Sequence, residues 1–566
     1  MHLTVSILHN PYMAEILLNL DKINFQYTTR LLFNDLAFEV QDGQRIGFVG
    51  LNGTGKSTLM KIMAGELQQD SGNIFKISKL TMGRLEQEPE LDSGRTLLEE
   101  AMTARPEIAD LESELRALEQ KMADPAVYED GDKLTQVMGE YDRLTEKFDQ
   151  MDGARYTNSV EAALLAVGLS EEHWHKPADV LSGGQKKLVL LAKLIVQKPR
   201  LLLLDEPDNH LDVPAKRDLE KLLAKYPGAV VMISHDRYLL DETVTHIAEL
   251  ENGKIEMYKG NYTEYAAERE HRRLKQMQAF AAQQKEINAL EEALKRFELW
   301  ANLYSSEKFA RKARHRKNML DRVDRIDKVV DARDMGLQLG GYRGSKKAIQ
   351  LIELGMELPN GRTLWLGLDT TIYHGERVGV VGPNGVGKSM LFKTIRFGEQ
   401  DGFLAGFKIE GQAKVGPSTN IGYYAQEQET LNYENTMIQE LRATAPISED
   451  VAVSILHSYL FSYEQARSPI KNLSGGEKSR LQLAKLVLGK PNLLMLDEPT
   501  NNLDIGSIEV LEQALADFNG TVVVISHDRY FLDRVVDRTI EIREGELTEF
   551  AGGYTEYLEA SGYGDV

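Results

Sequence analysis

No cysteine occurs among the 566 residues. Disulfides, zinc-thiolate sites and iron–sulfur clusters are therefore excluded, and the composition fits a reducing compartment. There is also no apolar run near the roughly 18 residues needed to cross a bilayer. The start, Met1 to Tyr12, lacks the basic stretch and apolar core of a secretory signal. Residues 1–13 read as a tail, with Met13 an alternative first residue. Basic residues are outnumbered, 67 Lys and Arg against 87 Asp and Glu, for a net charge of −20. That balance argues against indiscriminate binding to nucleic acid, although a local basic patch can override the average. The 42% hydrophobic content and mixed charge suit a globular chain, and its length calls for at least two domains with full cores.

What the chain does have is one long pattern, twice. Leu181-Ser182-Gly183-Gly184 precedes Leu201–Leu204 and Asp205-Glu206-Pro207; Leu473-Ser474-Gly475-Gly476 precedes Leu493–Leu496 and Asp497-Glu498-Pro499. In both copies the serine lies 24 residues before the glutamate, and a histidine, His235 or His527, lies 29 after it. Spacing this regular marks an internal repeat. Upstream, a strand ending at Val49 leads into Gly50-Leu51-Asn52-Gly53-Thr54-Gly55-Lys56-Ser57, then a helix carrying Leu59, Met60, Ile62 and Met63. Strand, glycine-rich turn and helix are the context a P-loop needs. Glycines let backbone N–H groups wrap phosphates at a helix N-terminus. Lys56 would reach the β- and γ-phosphates and Ser57 would ligate Mg²⁺. The second P-loop is Gly382-Pro383-Asn384-Gly385-Val386-Gly387-Lys388-Ser389.

The remaining chemistry follows from strand ends. Leu201–Leu204 reads as a strand buried on both faces, delivering Asp205 and Glu206 to its C-terminal end, where α/β ligand sites lie. Asp205 would hold the metal through water, and Glu206 would orient and polarise the attacking water. His235 ends another buried strand and is a γ-phosphate sensor candidate. A glutamine such as Gln87 is by itself an ordinary surface residue; in a P-loop ATPase of this layout Gln87, and Gln426 in the second copy, would sit near the metal and the water. Ser389, Asp497, Glu498 and His527 complete the second set.

Two stretches lie outside the repeat. Gln87 to Ser182 spans 95 residues, against 48 from Gln426 to Ser474. The excess is an arm over about 103–150, read as two amphipathic helices. Residues 264–331 carry an apolar stripe broken at Asn302–Ser306, the pattern of a long helical hairpin; a helix of about 36 residues would reach roughly 54 Å. The hairpin tip is basic. Lys308, Arg311, Lys312, Arg314, Arg316 and Lys317 fall within ten residues without an acid, where a phosphate-backbone contact would be localised. A charge run is otherwise a solvated face. Trp300 and Tyr304 would either stack on bases or close the turn. After His527 a strand-rich stretch, 539–550, leads to the end of the sequence, where no further partner-binding segment is expected.

P-loop, glutamine loop, Leu-Ser-Gly-Gly signature, Asp-Glu-Pro box and histidine switch, in this order and twice, resemble the ATP-binding cassette superfamily. Two cassettes without a membrane segment, an arm in the first and a long connector resemble the ABC-F family in particular. The resemblance implies an α/β fold of two tandem P-loop cassettes, 14–262 and 346–566, joined by a helical connector, 263–345. It implies an ATP hydrolase with two sites, each completed by the signature of the other cassette. Lys56, Ser57, Gln87, Asp205, Glu206 and His235 would face Ser474, Gly475 and Gly476; Lys388, Ser389, Gln426, Asp497, Glu498 and His527 would face Ser182, Gly183 and Gly184. Asp212 and Asp504 match the family's D-loops. The cofactors implied are ATP and Mg²⁺, the latter at Ser57, Gln87, Asp205, Ser389, Gln426 and Asp497.

Departures are visible. Tyr27 fits the adenine-stacking aromatic, but Met356–Pro359 has none; Met390 stands where the first copy has Thr58; and Asp208-Asn209-His210 and Thr500-Asn501-Asn502 both depart from the usual Thr-Asn-His. By resemblance the chain is a cytoplasmic translation factor. It would bind the ribosome at the tRNA exit site through its basic tip, touch ribosomal RNA and peptidyl-tRNA, and sense or relieve stalled ribosomes. It would need neither a membrane nor an oligomer, since its cassettes close on each other. An antibiotic-dislodging ribosome-protection protein is the near alternative; a transporter motor with separate membrane subunits and a DNA-binding ATPase are the distant ones.

Overall fold

The structure, a computed structural model, describes the chain apart from residues 1–14, 28–29, 87–93, 129, 178–180, 182, 210, 212, 324–336, 338, 341, 399–405, 426–430, 502 and 562–566. Both repeats lie in one compact unit, Met1–Asn261 with Met335–Val566, and Tyr262–Asp334 is a second. In the first repeat the strands are β1 Ile16–Tyr27, β2 Arg30–Gln41, β3 Arg45–Val49, β4 Ser71–Lys76, β5 Met82–Leu85, β6 Leu201–Asp205, β7 Ala229–Ile233, β8 His246–Glu251 and β9 Lys254–Lys259. In the second they are β10 Lys347–Glu357, β11 Thr363–Tyr373, β12 Arg377–Val381, β13 Lys408–Val415, β14 Ile421–Tyr424, β15 Leu493–Asp497, β16 Thr521–Ile525, β17 Arg538–Arg543 and β18 Glu546–Ala551.

Each repeat centres on a six-stranded sheet, ordered β5-β6-β7-β3-β8-β9 and β14-β15-β16-β12-β17-β18. Neighbours run parallel except for the closing pairs β8–β9 and β17–β18. Every residue of β6, β7, β15 and β16 is buried, as expected of uninterrupted apolar strands covered on both faces. Parallel pairing puts the ends of β3, β6 and β7 on one edge, which brings the P-loop, Asp205-Glu206 and His235 together from distant sequence. Smaller antiparallel sheets, β2-β1-β4 and β11-β10-β13, cover the P-loop helices: Phe25 and Phe33 share a core with Leu59 and Met60, as Met356 and Trp365 do with Leu391 and Phe392.

The arm consists of helices Pro106–Met122 and Gly131–Gln150, which pack on one another through Leu111, Leu115, Leu118 and Leu144. In the second unit a 42-residue helix, Tyr262–Leu303, is followed by the helix Glu307–Leu320. The first spans about 63 Å. It is longer than its apolar stripe suggests because polar pairs such as Arg272–Glu268, 2.7 Å apart, carry the helix where apolar residues lapse. Ser305, at φ 43°, makes the reversal. Trp300 packs edge-on to Phe309 at 5.4 Å, and Tyr304 also meets Phe309, so these aromatics close the turn. The stripe positions Ile326 and Val330 lie outside the described residues. Among the described residues no helix is long and apolar enough to cross a membrane.

Candidate functional site: two nucleotide pockets

The two P-loops are built alike. Gly50 (φ 142°) and Gly382 (φ 145°) leave β3 and β12 in conformations open to glycine, and a Cβ on either would strike the carbonyl oxygen of Leu250 or Ile542 at 2.5 or 2.2 Å. The helices Lys56–Ala64 and Lys388–Phe397 begin directly after the loops. Lys56 Nζ donates to the carbonyls of Gly50 and Leu51 (2.8 and 3.1 Å), and Lys388 Nζ to those of Gly382 and Pro383 (2.7 and 2.9 Å). Thr54 Oγ1 donates to the Leu51 carbonyl. Each loop rests on an aromatic ring: Phe33 lies under Gly55, and Trp365 lies under Gly387 while donating its Nε1–H to the Val386 carbonyl at 3.0 Å.

Ser57 Oγ donates to Asp205 Oδ1 at 3.2 Å, and Ser389 Oγ to Asp497 Oδ1 at 3.1 Å. A hydroxyl and a carboxylate held together at a P-loop are the oxygen donors a hard divalent cation takes, so both pairs fit Mg²⁺. Burial raises the Asp205 carboxyl, opposed by the Ser57 hydrogen bond and nearby cations.

Glu206 and Glu498 follow their strands with left-handed backbones, φ 49° and 48°, sparsely populated for residues with a side chain. Their N–H groups donate to Ile233 and Ile525 carbonyls, which ties each glutamate to the adjacent histidine strand. His235 Nε2 lies 3.8 Å from Glu206 Oε1, and His527 Nε2 3.4 Å from Glu498 Oε1. Asn209 Nδ2 donates to Glu206, whereas the His527 N–H donates to Glu498 Oε2 at 3.2 Å and the His527 ring meets Asn384 Oδ1 at 3.1 Å. Glu498 Oε1 is buried without a hydrogen bond. Burial pushes its carboxyl up to about 7, with Lys388 opposing. Burial, and then Lys56, push His235 down to about 3.

A cavity of about 600 Å³ lies over the second P-loop, lined by Asn384, Lys388, Ser389, Met390, Glu498 and His527 and, from the first cassette, Gly184. Over the first P-loop a cavity of about 390 Å³ is lined by Tyr27, Asn52, Lys56, Ser57, Thr58 and Glu206. Leu358, just after β10, lines the second cavity, as Tyr27, ending β1, lines the first. Asp504 of the second cassette reaches the first P-loop and accepts from Asn52 N at 3.2 Å. Ser474 caps the helix Gly475–Leu488 in a reciprocal pair with Glu477; Gly183 opens the matching helix Gly183–Gln197. Gln87, Gln426, Ser182 and Asp212 lie outside the described residues.

Sequence reasoning missed the clasp between the cassettes. Equivalent positions of the two repeats are 292 residues apart there, as His235 and His527 are. Arg237 pairs with Glu512 and Arg529 with Glu220, all buried or nearly so. Arg237 also lies over the Tyr530 ring at 4.1 Å and Arg529 over Tyr238 at 4.7 Å. The signal was present: Ser-His-Asp-Arg-Tyr occurs at 234–238 and again at 526–530.

The basic tip lies on the helix Glu307–Leu320. Lys308, Arg311, Lys312, Arg314 and Lys317 are exposed and Arg316 half-buried. Lys312 reaches over the Phe297 ring at 5.5 Å, and Arg311 pairs with exposed Glu307 at 3.2 Å.

Comparison with known proteins agrees with this geometry. The family profile described as ABC transporter matches residues 33–209 and 366–501, and a second profile with that description matches 248–338. The ABC transporter F family member 5 of Arabidopsis thaliana is 33% identical over 546 residues, covering 95% of this chain and 77% of the relative. The energy-dependent translational throttle protein EttA of Mycobacterium tuberculosis is 32% identical over 563 residues, covering 97% and 96%. An archaeal ribosome recycling factor, solved with a ribosomal stalk protein, shares the tandem fold at 20% identity, with a TM-score of 0.54 over 96% of this chain and 92% of that one. With the cassette profile matched in both repeats and relatives a third identical along nearly the whole length, the chain belongs to the ABC-F family of twin-cassette proteins and is an ATP-binding, ATP-hydrolysing enzyme.

Proposed function

We propose that this enzyme is a cytoplasmic translation factor that uses ATP-driven cassette closure to engage the ribosome at the tRNA exit site and to sense or relieve stalling. The observation that carries the reading is the exposed basic helix Glu307–Leu320 beside the tip of a 42-residue helix, on a chain of net charge −20. Localised positive charge of this kind suits ribosomal RNA and the backbone of a peptidyl-tRNA. The name of the EttA relative, a translational throttle, points the same way. Antibiotic protection of the ribosome is the second reading, and no observation favours it.

In each pocket Lys56 or Lys388 would hold the β- and γ-phosphates, with loop N–H groups wrapping them. Ser57 with Asp205, and Ser389 with Asp497, would hold Mg²⁺, which neutralises phosphate charge when bound. Glu206 and Glu498 would orient the attacking water and accept its proton. His235 and His527 would donate to the γ-phosphate, so that its loss releases the closed form.

The test is ribosome co-sedimentation of the Glu206→Gln/Glu498→Gln variant. Pelleting only with ATP is expected, weakened when Arg311, Lys312, Arg314 and Arg316 are neutralised. A variant that stays in the supernatant at modest salt would sink the ribosome reading, and duplex DNA would be the next partner to try.

A further inference from the structure

The clasp repeats under the 292-residue shift at Glu206/Glu498, Glu220/Glu512, His235/His527, Asp236/Asp528 and Arg237/Arg529. Two buried positions break it together: Asp208 corresponds to Thr500, and Lys216 to Ile508. Thr500 meets the Ser526 hydroxyl at 3.3 Å, and Ile508 packs in an apolar core. In the first cassette the same places hold a carboxylate and an ammonium.

Lys216 lies on the helix Val213–Ala224 and is only 7% exposed. Its Nζ donates to Asp236 Oδ2 at 2.8 Å and, across the cassette boundary, to the backbone carbonyl of His527 at 3.1 Å. It also lines the cavity over the second P-loop. Both backbone polar groups of His527 are thus engaged, its N–H donating to Glu498 Oε2 and its carbonyl accepting from Lys216, while its ring meets Asn384. Ile508 has no donor to offer the carbonyl of His235 in return.

A buried ammonium needs compensation to persist. Burial alone would lower Lys216, but Asp236 and Asp208 outweigh it and push it up to about 12, so the charge stays. Burial pushes the Asp208 carboxyl up and Lys216 opposes that shift, so the buried acid and the buried lysine are counterparts. As a packing residue, Ile508 shows that an aliphatic side chain fills this place without either charge.

We propose that Lys216 is a positioning residue acting in trans on the second ATP site: oriented by Asp236, it fixes the His527 carbonyl and thereby the histidine–glutamate pair, which makes the second site the faster of the two. The inference rests on the reading of Glu206 and Glu498 as the water-activating carboxylates of separate sites.

The test uses the full chain and the Asp208→Thr/Lys216→Ile pair, which removes the buried acid and the buried lysine together and copies residues that already pack in the second cassette. ATP turnover is measured in a Glu206→Gln background, which reports the second site, and in a Glu498→Gln background, which reports the first. A roughly tenfold fall in kcat is expected in the former, the size of one charge-assisted hydrogen bond, and less than a twofold change in the latter. Lys216→Arg, which keeps charge and donors, should recover part of the loss. Lys216→Gln carries the same comparison if the pair does not fold. Amide exchange over 525–529 in the ATP-bound protein should speed up in the pair. Equal losses in both backgrounds, no loss in either, or unchanged exchange overturns the inference. Wild-type turnover in the Glu206→Gln/Glu498→Gln variant would sink the assignment of the carboxylates instead, and the exchange result would then decide on Lys216 alone.

Discussion

The two cassettes share one backbone plan and differ in the side chains that finish it. Sheet order, P-loop geometry and the left-handed glutamates repeat almost residue for residue. The differences gather where nucleotide and the opposite cassette meet: Tyr27 against Leu358, Thr58 against Met390, and the Asp208–Lys216 pair against Thr500 and Ile508. Even the reciprocal clasp is unequal, since Glu512 has a second partner in Arg534 at 3.1 Å. Backbone geometry set by glycines and buried strands leaves little room for change, whereas pocket side chains can diverge at little cost to folding. Two sites that look duplicated can therefore run at different affinities and rates.

The largest expected difference lies in the clasp. Arg529→Ala strands Glu220 in a nearly dry interface, and breaking a buried pair costs about 3–5 kcal/mol. Arg237→Ala leaves Glu512 with Arg534, although Asp528, 3.9 Å from Arg237, loses a cation, and should cost less. Chemical denaturation of both variants tests this, and equal costs would show that Arg534 does not offset the loss of Arg237. Next is base stacking, worth roughly 1–3 kcal/mol per base. Tyr27→Ala should weaken ATP at the first site, measured by calorimetry in a Lys388→Ala background, while Leu358→Tyr should tighten the second in a Lys56→Ala background. If neither moves, the two base pockets are equivalent after all.

Smallest near neutral pH, and growing as the solution is acidified, is a pH slope belonging to the first cassette. Burial holds His235 well below the usual 6.5, at about 3. As pH falls, the unfolded chain takes up this proton before the folded one does. The stability associated with neutral His235 is complete above pH 6.5 and is lost toward pH 3, at up to about 1.4 kcal/mol per unit. Denaturation of His235→Gln between pH 7 and 5 should show a slope shallower than that of the parent by up to this amount. An unchanged slope would mean that His235 titrates normally.

The P-loops, the Asp-Glu boxes and the histidines were legible as a constellation because their spacing repeats and each motif carries its own local structure. The arm showed as excess length and the connector as an apolar stripe, though its first helix runs on to 42 residues where ion pairs replace apolar spacing. Asp504 was readable as a D-loop residue, but not its bond to Asn52. Lys216 passed unnoticed: a lysine in a polar helix reads as solvated, and nothing local shows that it is buried against another domain.

The sequence by itself determined that two phosphate-binding loops, two acid pairs and two histidines exist, since strand–turn–helix spacing and buried apolar runs are local, periodic properties. Only the tertiary structure decided which groups meet. Parallel strand order placed Ser57 against Asp205 and Glu498 beside His527. The facing of one cassette on the other set Arg237 on Glu512, Asp504 on Asn52 and Lys216 on the His527 carbonyl. Such contacts join residues hundreds of positions apart and depend on burial, which changes the meaning of a charged side chain without changing its letter.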